Sequence, residues 1–218
     1  DDDESIVLDF FAGSSTTAHA VMQYNSETKG NRKFILIQLP EPCAEKSEAK
    51  KNGWKTICDI GKERIRRAGE KIKEENPDTS DNLDIGFRVF KLDDSNMKDV
   101  YYSADEYNQN LLDMLESNIK EDRTDLDLLF GSVLDWGIPL SLPYSSDEID
   151  GCTVHNYNDG DLIACFNEDI PETVIKTIAK KQPLRAVFRD SGFANSPSKI
   201  NVGEIFKMLA PDTRIKVI

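Results

Sequence analysis

One stretch near the start constrains this fold more than any other: Ser5-Ile6-Val7-Leu8-Asp9-Phe10-Phe11-Ala12-Gly13-Ser14-Ser15-Thr16-Thr17-Ala18-His19-Ala20-Val21. The order predicts a buried strand over 6–11, a tight turn of small residues, and a helix over 16–25. Ser14 or Ser15 stands where a helix cap is needed. Small residues let a ligand approach the loop backbone closely. The helix start offers it free N–H groups and a partial positive charge. This is the opening of a nucleotide-type binding unit in an α/β fold. One glycine alone fits a plain strand–helix turn equally well. A dinucleotide reading would want Gly-x-Gly-x-x-Gly, and Gly13 has no such successors. A binding loop this early, in a chain of 218 residues, reads as a fold that begins here or as a piece of something longer.

The pattern beyond the loop alternates strand and helix. Phe34 to Leu39 is apolar except for Gln38, as in a strand buried on both faces. Glu45 to Asn52 is charged, lacks apolar periodicity and reads as exposed. From Thr56 to Glu75, Ile57, Ile60, Ile65, Ala68 and Ile72 recur at helical spacing. The Pro/Asp/Ser/Thr/Asn stretch 76–82 reads as a linker, and Gly86 to Leu92 as a strand. Helices are expected over 104–120, with Leu111, Leu112, Leu115 and Ile119, and over 125–136. Strand-like pieces follow at 140–144, 151–157 and 162–166. Asn158-Asp159-Gly160-Asp161 marks a hairpin between the last two. A helix (171–181), a strand (184–189), a helix (198–209) and a strand (213–218) close the chain. Arg185 and Arg189, four apart, share one strand face and could pair with acids or a partner.

Composition narrows the function classes. The net charge of -13 repels phosphates, so the chain alone is expected to bind nucleic acid poorly. The cations Lys62, Arg64, Arg66, Arg67, Lys71 and Lys73 alternate with Glu63, Glu70 and Glu74, as on a solvated helix face. Cys43, Cys58, Cys152 and Cys165 lack Cys-x-x-Cys spacing and only two histidines exist, so no metal site is expected. Cys152 and Cys165 could face each other across neighbouring strands, as reduced buried thiols. Asp93-Asp94 and the group Asp147, Glu148, Asp150 match no calcium-loop pattern and read as solvated loops. His19 reads as a packed helix residue. No apolar run approaches the roughly 18 residues of a membrane span, and no secretory leader is seen, so a cytoplasmic protein is expected.

Asp9-Phe10-Phe11-Ala12-Gly13-Ser14-Ser15-Thr16-Thr17 resembles the Asp-x-Phe-x-Gly-Ser-Gly-Thr-Thr signature of DNA amino-methyltransferases of the β order. His19 to Met22 and Asn31-Arg32-Lys33-Phe34-Ile35-Leu36-Ile37-Gln38-Leu39-Pro40-Glu41 are similar to the modification subunit of type III restriction systems. So are Asp59-Ile60-Gly61-Lys62-Glu63-Arg64-Ile65-Arg66-Arg67-Ala68-Gly69 and Gly86-Phe87-Arg88-Val89-Phe90-Lys91. Pro183-Leu184-Arg185-Ala186-Val187-Phe188-Arg189-Asp190 and the Lys199–Phe206 helix are similar to that subunit's carboxyl end. The chain is thus identified as the carboxyl-terminal portion of such a subunit.

The resemblance implies a partial Rossmann-like methyltransferase sheet over 1–84, holding S-adenosylmethionine. A smaller α/β domain with a β-hairpin, serving subunit contacts, would cover 85–218. The parent would methylate adenine N6 in DNA, with the base flipped out of the helix. Asp9 would sit near the methionine ammonium, with Phe11 in the same signature. Gly13 would admit the cofactor, and Ser14, Thr16 and Thr17 would meet its carboxylate. Gln38 or Glu41 would face the ribose. Two departures stand out: Ser15 replaces the second loop glycine, and Gln38 replaces the usual acid. The family's catalytic Asp-Pro-Pro-Tyr motif does not occur in this sequence. Leu142-Pro143-Tyr144 lacks the acid ahead of it. No catalytic residue is therefore assigned, and the isolated chain is expected to be inactive. Implied partners are DNA, through other parts of the parent, a second modification subunit and the restriction subunit, with no membrane.

Overall fold

The computed structural model describes residues 3–77, 83–98, 118–193 and 196–218. The chain divides into two compact units, Asp1–Val89 and Phe90–Ile218. Both are mixed α/β, each with its own sheet.

In the first unit, β1 (Ile6–Asp9) lies parallel to β2 (Lys33–Leu36), with Val7 opposite Phe34 and Asp9 opposite Leu36. Helix α1 (Thr16–Thr28) connects them, three residues longer than the sequence suggests. Buried Asn25 extends it: its side chain donates to the Arg32 carbonyl and accepts from the Arg32 N–H, clamping the turn into β2. Glu48–Lys51 forms one helical turn, α2, where only exposed chain was expected. Ser47 caps it by accepting the Lys50 N–H. Helix α3 (Ile57–Glu75) begins at a capping box, in which Thr56 and Asp59 satisfy each other's amides.

Ala18 and Met22 of α1 meet Ile65, Ala68 and Ile72 of α3, over Phe34 and Leu36 of the sheet. The expectation of a strand buried on both faces fails here. Ile35 is 50% exposed and Leu8 55%. Alternate side chains of a strand point to opposite faces, and α1 and α3 cover one of them. Among the described residues, nothing covers the other. The strand expected over 86–92 is also absent. Leu83, Ile85 and Phe87 alternate inward because the segment lies extended across α3, where Ile85 sits directly on Gly69.

The second unit holds a five-stranded sheet in sequence order. β3 (Tyr144–Ile149), β4 (Cys152–Tyr157) and β5 (Leu162–Cys165) are antiparallel. β6 (Arg185–Phe188) and β7 (Arg214–Val217) continue it in parallel. The expected hairpin turn forms, with Asn158, Asp159 and Gly160 all at positive φ. Asp150-Gly151, also at positive φ, closes a second hairpin.

Helix α4 (Asp125–Asp135) covers one face of this sheet, packing Leu129 and Val133 against Tyr157, Leu162 and Val187. Helices α5 (Glu172–Lys180) and α6 (Ser196–Leu209) cover the other, packing Val174, Ile178 and Phe206 against Ile163, Cys165 and Phe188. All four residues of β5 are buried.

Smaller expectations are corrected. Asp147 and Glu148 lie in the edge strand β3 rather than in a loop. Ile119 makes an isolated bridge to Met97 rather than continuing a helix. The rest of the helix expected over 104–120, with Leu111, Leu112 and Leu115, lies outside the described residues. So do residues 78–82 of the expected linker.

Candidate functional site

The loop after β1 is built on two left-handed residues. Gly13 has φ 54° and Ser15 φ 61°. At Gly13 an added Cβ would meet only the Phe11 carbonyl, at 3.9 Å, so the space beside the loop is open. A serine in this conformation carries a cost of about 1–2 kcal/mol. Ser15 stands at the helix boundary, but its side chain makes no cap hydrogen bond. Its N–H donates to the Ala12 carbonyl (2.7 Å), and its buried hydroxyl is turned toward Gly61 of α3. The left-handed backbone directs that side chain onto α3. Ser15 therefore does not cap, and among the described residues no side chain accepts from the first amides of α1. Ser14 is half-buried beside it.

Two of the expected ligand residues brace the loop itself. Asp9 accepts the Thr17 hydroxyl (2.5 Å) through Oδ2 and the Phe11 N–H (3.1 Å) through Oδ1. Gln38 accepts the Gly13 N–H through Oε1 (2.7 Å) and donates to the Leu39 carbonyl (3.1 Å). An amide suits this place, because it accepts on one side and donates on the other, which a carboxylate cannot do. Asp9, Gly13, Thr17 and Gln38 are thus brought together. Phe11 is 83% exposed, edge-on to Phe10. Glu41 is exposed, and its carbonyl accepts the Ile57 N–H (3.0 Å), tying the segment after β2 to the start of α3.

Two residues of this site escaped the sequence reading. A Cβ at Gly61 would lie 2.5 Å from the Ser15 hydroxyl, so the glycine makes room for the serine. Its signal was a glycine in line with Ile65 on the buried face of α3. Arg64, one turn on, donates from Nη1 to the Thr16 hydroxyl (2.9 Å). Its signal was the lack of an acid three or four positions away in sequence. Its neighbours do have one: Lys62 pairs with Asp59, Arg66 and Arg67 with Glu63, and Lys71 with Glu75.

A groove of about 340 Å³ lies along the start of α3, between Trp54, Lys55, Lys62, Glu63 and Arg66. No loop residue lines it. The Lys62 ammonium and the Thr56 amide hold the Asp59 carboxyl there down to about 2.

In the second unit, buried His155 reaches Ser146 Oγ (2.9 Å) and Asp125 Oδ2 (3.5 Å), linking β3, β4 and the start of α4. Arg185 lies over the Trp136 ring and Arg189 pairs with Glu168 (3.7 Å). Burial pushes the Cys165 thiol up to about 12. All four cysteines are free thiols.

No family model matches the chain. Over 91 residues, 42% of its length, it is 48% identical to the type III restriction-modification enzyme EcoP15I Mod subunit of Escherichia coli, covering 13% of that protein. Over 156 residues, 71% of its length, it is 33% identical to the EcoPI Mod subunit of Escherichia phage P1, covering 23%. Over 71 residues it is 38% identical to the type II methyltransferase M.KpnI of Klebsiella pneumoniae, 33% of this chain and 17% of that one. These relatives define a class, the proteins of restriction-modification systems. Within it, the chain belongs with the type III modification subunits and corresponds to a part of one. It spans between about an eighth and a quarter of the length of these two subunits.

Proposed function

We propose that this chain carries the S-adenosylmethionine loop of a type III modification subunit whose whole protein methylates adenine N6 in DNA. The observation that carries the reading is the Gly13 loop. It is left-handed, open above the glycine, and followed by a helix whose first amides no side chain covers among the described residues. Such a helix start suits a carboxylate, and a relative that matches a third of the chain is named a methyltransferase. The cofactor, when bound, supplies an electrophilic methyl group. The chain's own residues shape the cradle. Asp9 and Gln38 hold the loop, and Asp9 keeps lone pairs for an ammonium. Thr16 and Thr17 mark the carboxylate end, with Ser14 beside them. Glu41 faces the ribose in place of Gln38, whose amide is engaged with Gly13. Phe11 offers an exposed ring for the adenine.

Residues 1–84 are the cofactor region in this reading and 85–218 an interaction domain, for a second modification subunit or the restriction subunit. Exposed Leu134 and Met208, on outer faces of α4 and α6, favour contact duty for that half. The chain on its own transfers no methyl group, because no Asp-Pro-Pro-Tyr motif occurs in it. The test is a calorimetric titration with S-adenosylmethionine, beside a Gly13→Val variant. Weak, saturable binding that the variant abolishes is expected. Binding untouched by the variant, or methyl transfer to DNA by this chain, overturns the reading.

A further inference from the structure

Among the described residues, two cations of α3, Arg64 and Lys73, pair with no carboxylate, and of these Arg64 reaches the loop. The chain carries 40 acidic residues against 27 basic ones, so an unmatched arginine stands out. Lys62, Arg66, Arg67 and Lys71 each lie within 4 Å of a carboxylate on the same helix. Among the described residues Arg64 pairs with none. Its guanidinium instead donates from Nη1 to the Thr16 hydroxyl, spending one of its five N–H donors. Thr16 is the first residue of α1, whose first turn contains no acid.

The two adjacent threonines therefore connect to opposite charges. Thr16 receives a hydrogen bond from a cation on α3, and Thr17 gives one to the Asp9 carboxylate on β1. A pair of opposite charges flanking one helix start matches a zwitterionic amino-acid group. Asp9 takes its ammonium, and a planar guanidinium takes its carboxylate with two parallel N–H bonds. We propose that Arg64 binds the carboxylate of the amino-acid end of the cofactor, and that this end is recognised as a zwitterion between Asp9 and Arg64. This rests on the cofactor reading above. It adds a wall to the cradle, because Gly61 and Arg64 make one side of α3 the partner of the loop.

The test uses two neutral thioether nucleosides that differ only at this end. S-adenosylhomocysteine has the amino acid, and 5′-methylthioadenosine lacks it. Each is titrated into the whole chain and into Arg64→Gln and Arg64→Lys. Loss of a hydrogen-bonded charge predicts S-adenosylhomocysteine binding about tenfold weaker or more in Arg64→Gln. Arg64→Lys falls between, and 5′-methylthioadenosine binds all three proteins alike. Added salt weakens S-adenosylhomocysteine more than its partner in the unsubstituted chain, a readout that needs no variant. Equal losses for both nucleosides, no loss for either, or equal salt sensitivity overturns the role of Arg64. If the unsubstituted chain binds neither nucleoside, the cofactor reading falls and Arg64 falls with it.

Discussion

The two sheets of this protein differ in how they are covered. In the second unit every residue of β5 is buried, between α4 on one side and α5 and α6 on the other. In the first, β1 and β2 have α1 and α3 on one face, and Ile6, Leu8, Ile35 and Ile37 stand open on the other. Parallel strands are ordinarily buried on both faces. The second sheet thus meets the conditions for independent stability. The first has the geometry of part of a larger sheet, with the Gly13 loop at the carboxyl end of β1, the end where α/β folds hold ligands.

The contrast is broken most directly by truncation. Phe188 is fully buried in β6, and Phe188→Ala is expected to lower the unfolding free energy by about 3–5 kcal/mol in urea denaturation. Leu8→Ala, on the open face, is expected to cost less than about 1 kcal/mol, since its side chain leaves little water on folding. Equal losses would mean that the open face is covered in solution.

A second cycle tests how α3 meets the loop. Gly61→Ala puts a methyl group 2.5 Å from the Ser15 hydroxyl. It is expected to destabilise the chain that carries Ser15, and to stabilise one that carries Ser15→Gly, where the added methyl meets no hydroxyl. A coupling of about 1 kcal/mol is expected for such a contact pair, and strict additivity would refute the packing.

Thr56→Ala removes the α3 capping box and is expected to cost about 1 kcal/mol. The same site sets an acid limit. The Asp59 carboxyl is lowered from 3.8 to about 2, first by Lys62 and then by the Thr56 amide. A lowered folded value contributes stability that is complete above about pH 4 and lost as pH falls through 2. Lys62→Gln should flatten the decline in stability over that window, because the Lys62 ammonium is the first cause of the low value. An unchanged slope would remove Lys62 from the cause.

The smallest effect is chemical. Thiol reagents at pH 8 are expected to modify half-buried Cys43 and Cys58 in the native chain. Cys152 and Cys165 should react only after unfolding, because both are buried and burial pushes Cys165 up to about 12. Mass spectrometry of native and denatured samples separates the pairs, and early loss of Cys165 would contradict the closed second sheet.

Much of this arrangement was legible from the residues. The strand–loop–helix start, the Thr56–Glu75 helix and the Asn158–Asp161 hairpin are local features, set by periodicity and turn chemistry. The helix α2 was hidden because one turn has too few residues to show a period. The strand expected over 86–92 has true alternation, but a period of two marks any extended chain with one buried side, and here that side is a helix. At the loop, Asp9, Gly13 and Thr17 come together as the motif suggests. The bond from the Gly13 N–H to the Gln38 amide oxygen was not legible, because the two residues lie 25 positions apart.

By itself, the sequence determined the class of fold, the place of the loop and the family, because these follow from local pattern and from motif. Only the tertiary structure decided which groups are spent and which are left over. Asp9 and Gln38 are held within the loop, Ser15 packs onto Gly61, and Arg64 stands beside Thr16 with no acid partner among the described residues. These are contacts between residues 25 to 48 positions apart, or choices among several possible partners, and spacing along a chain carries no information about either.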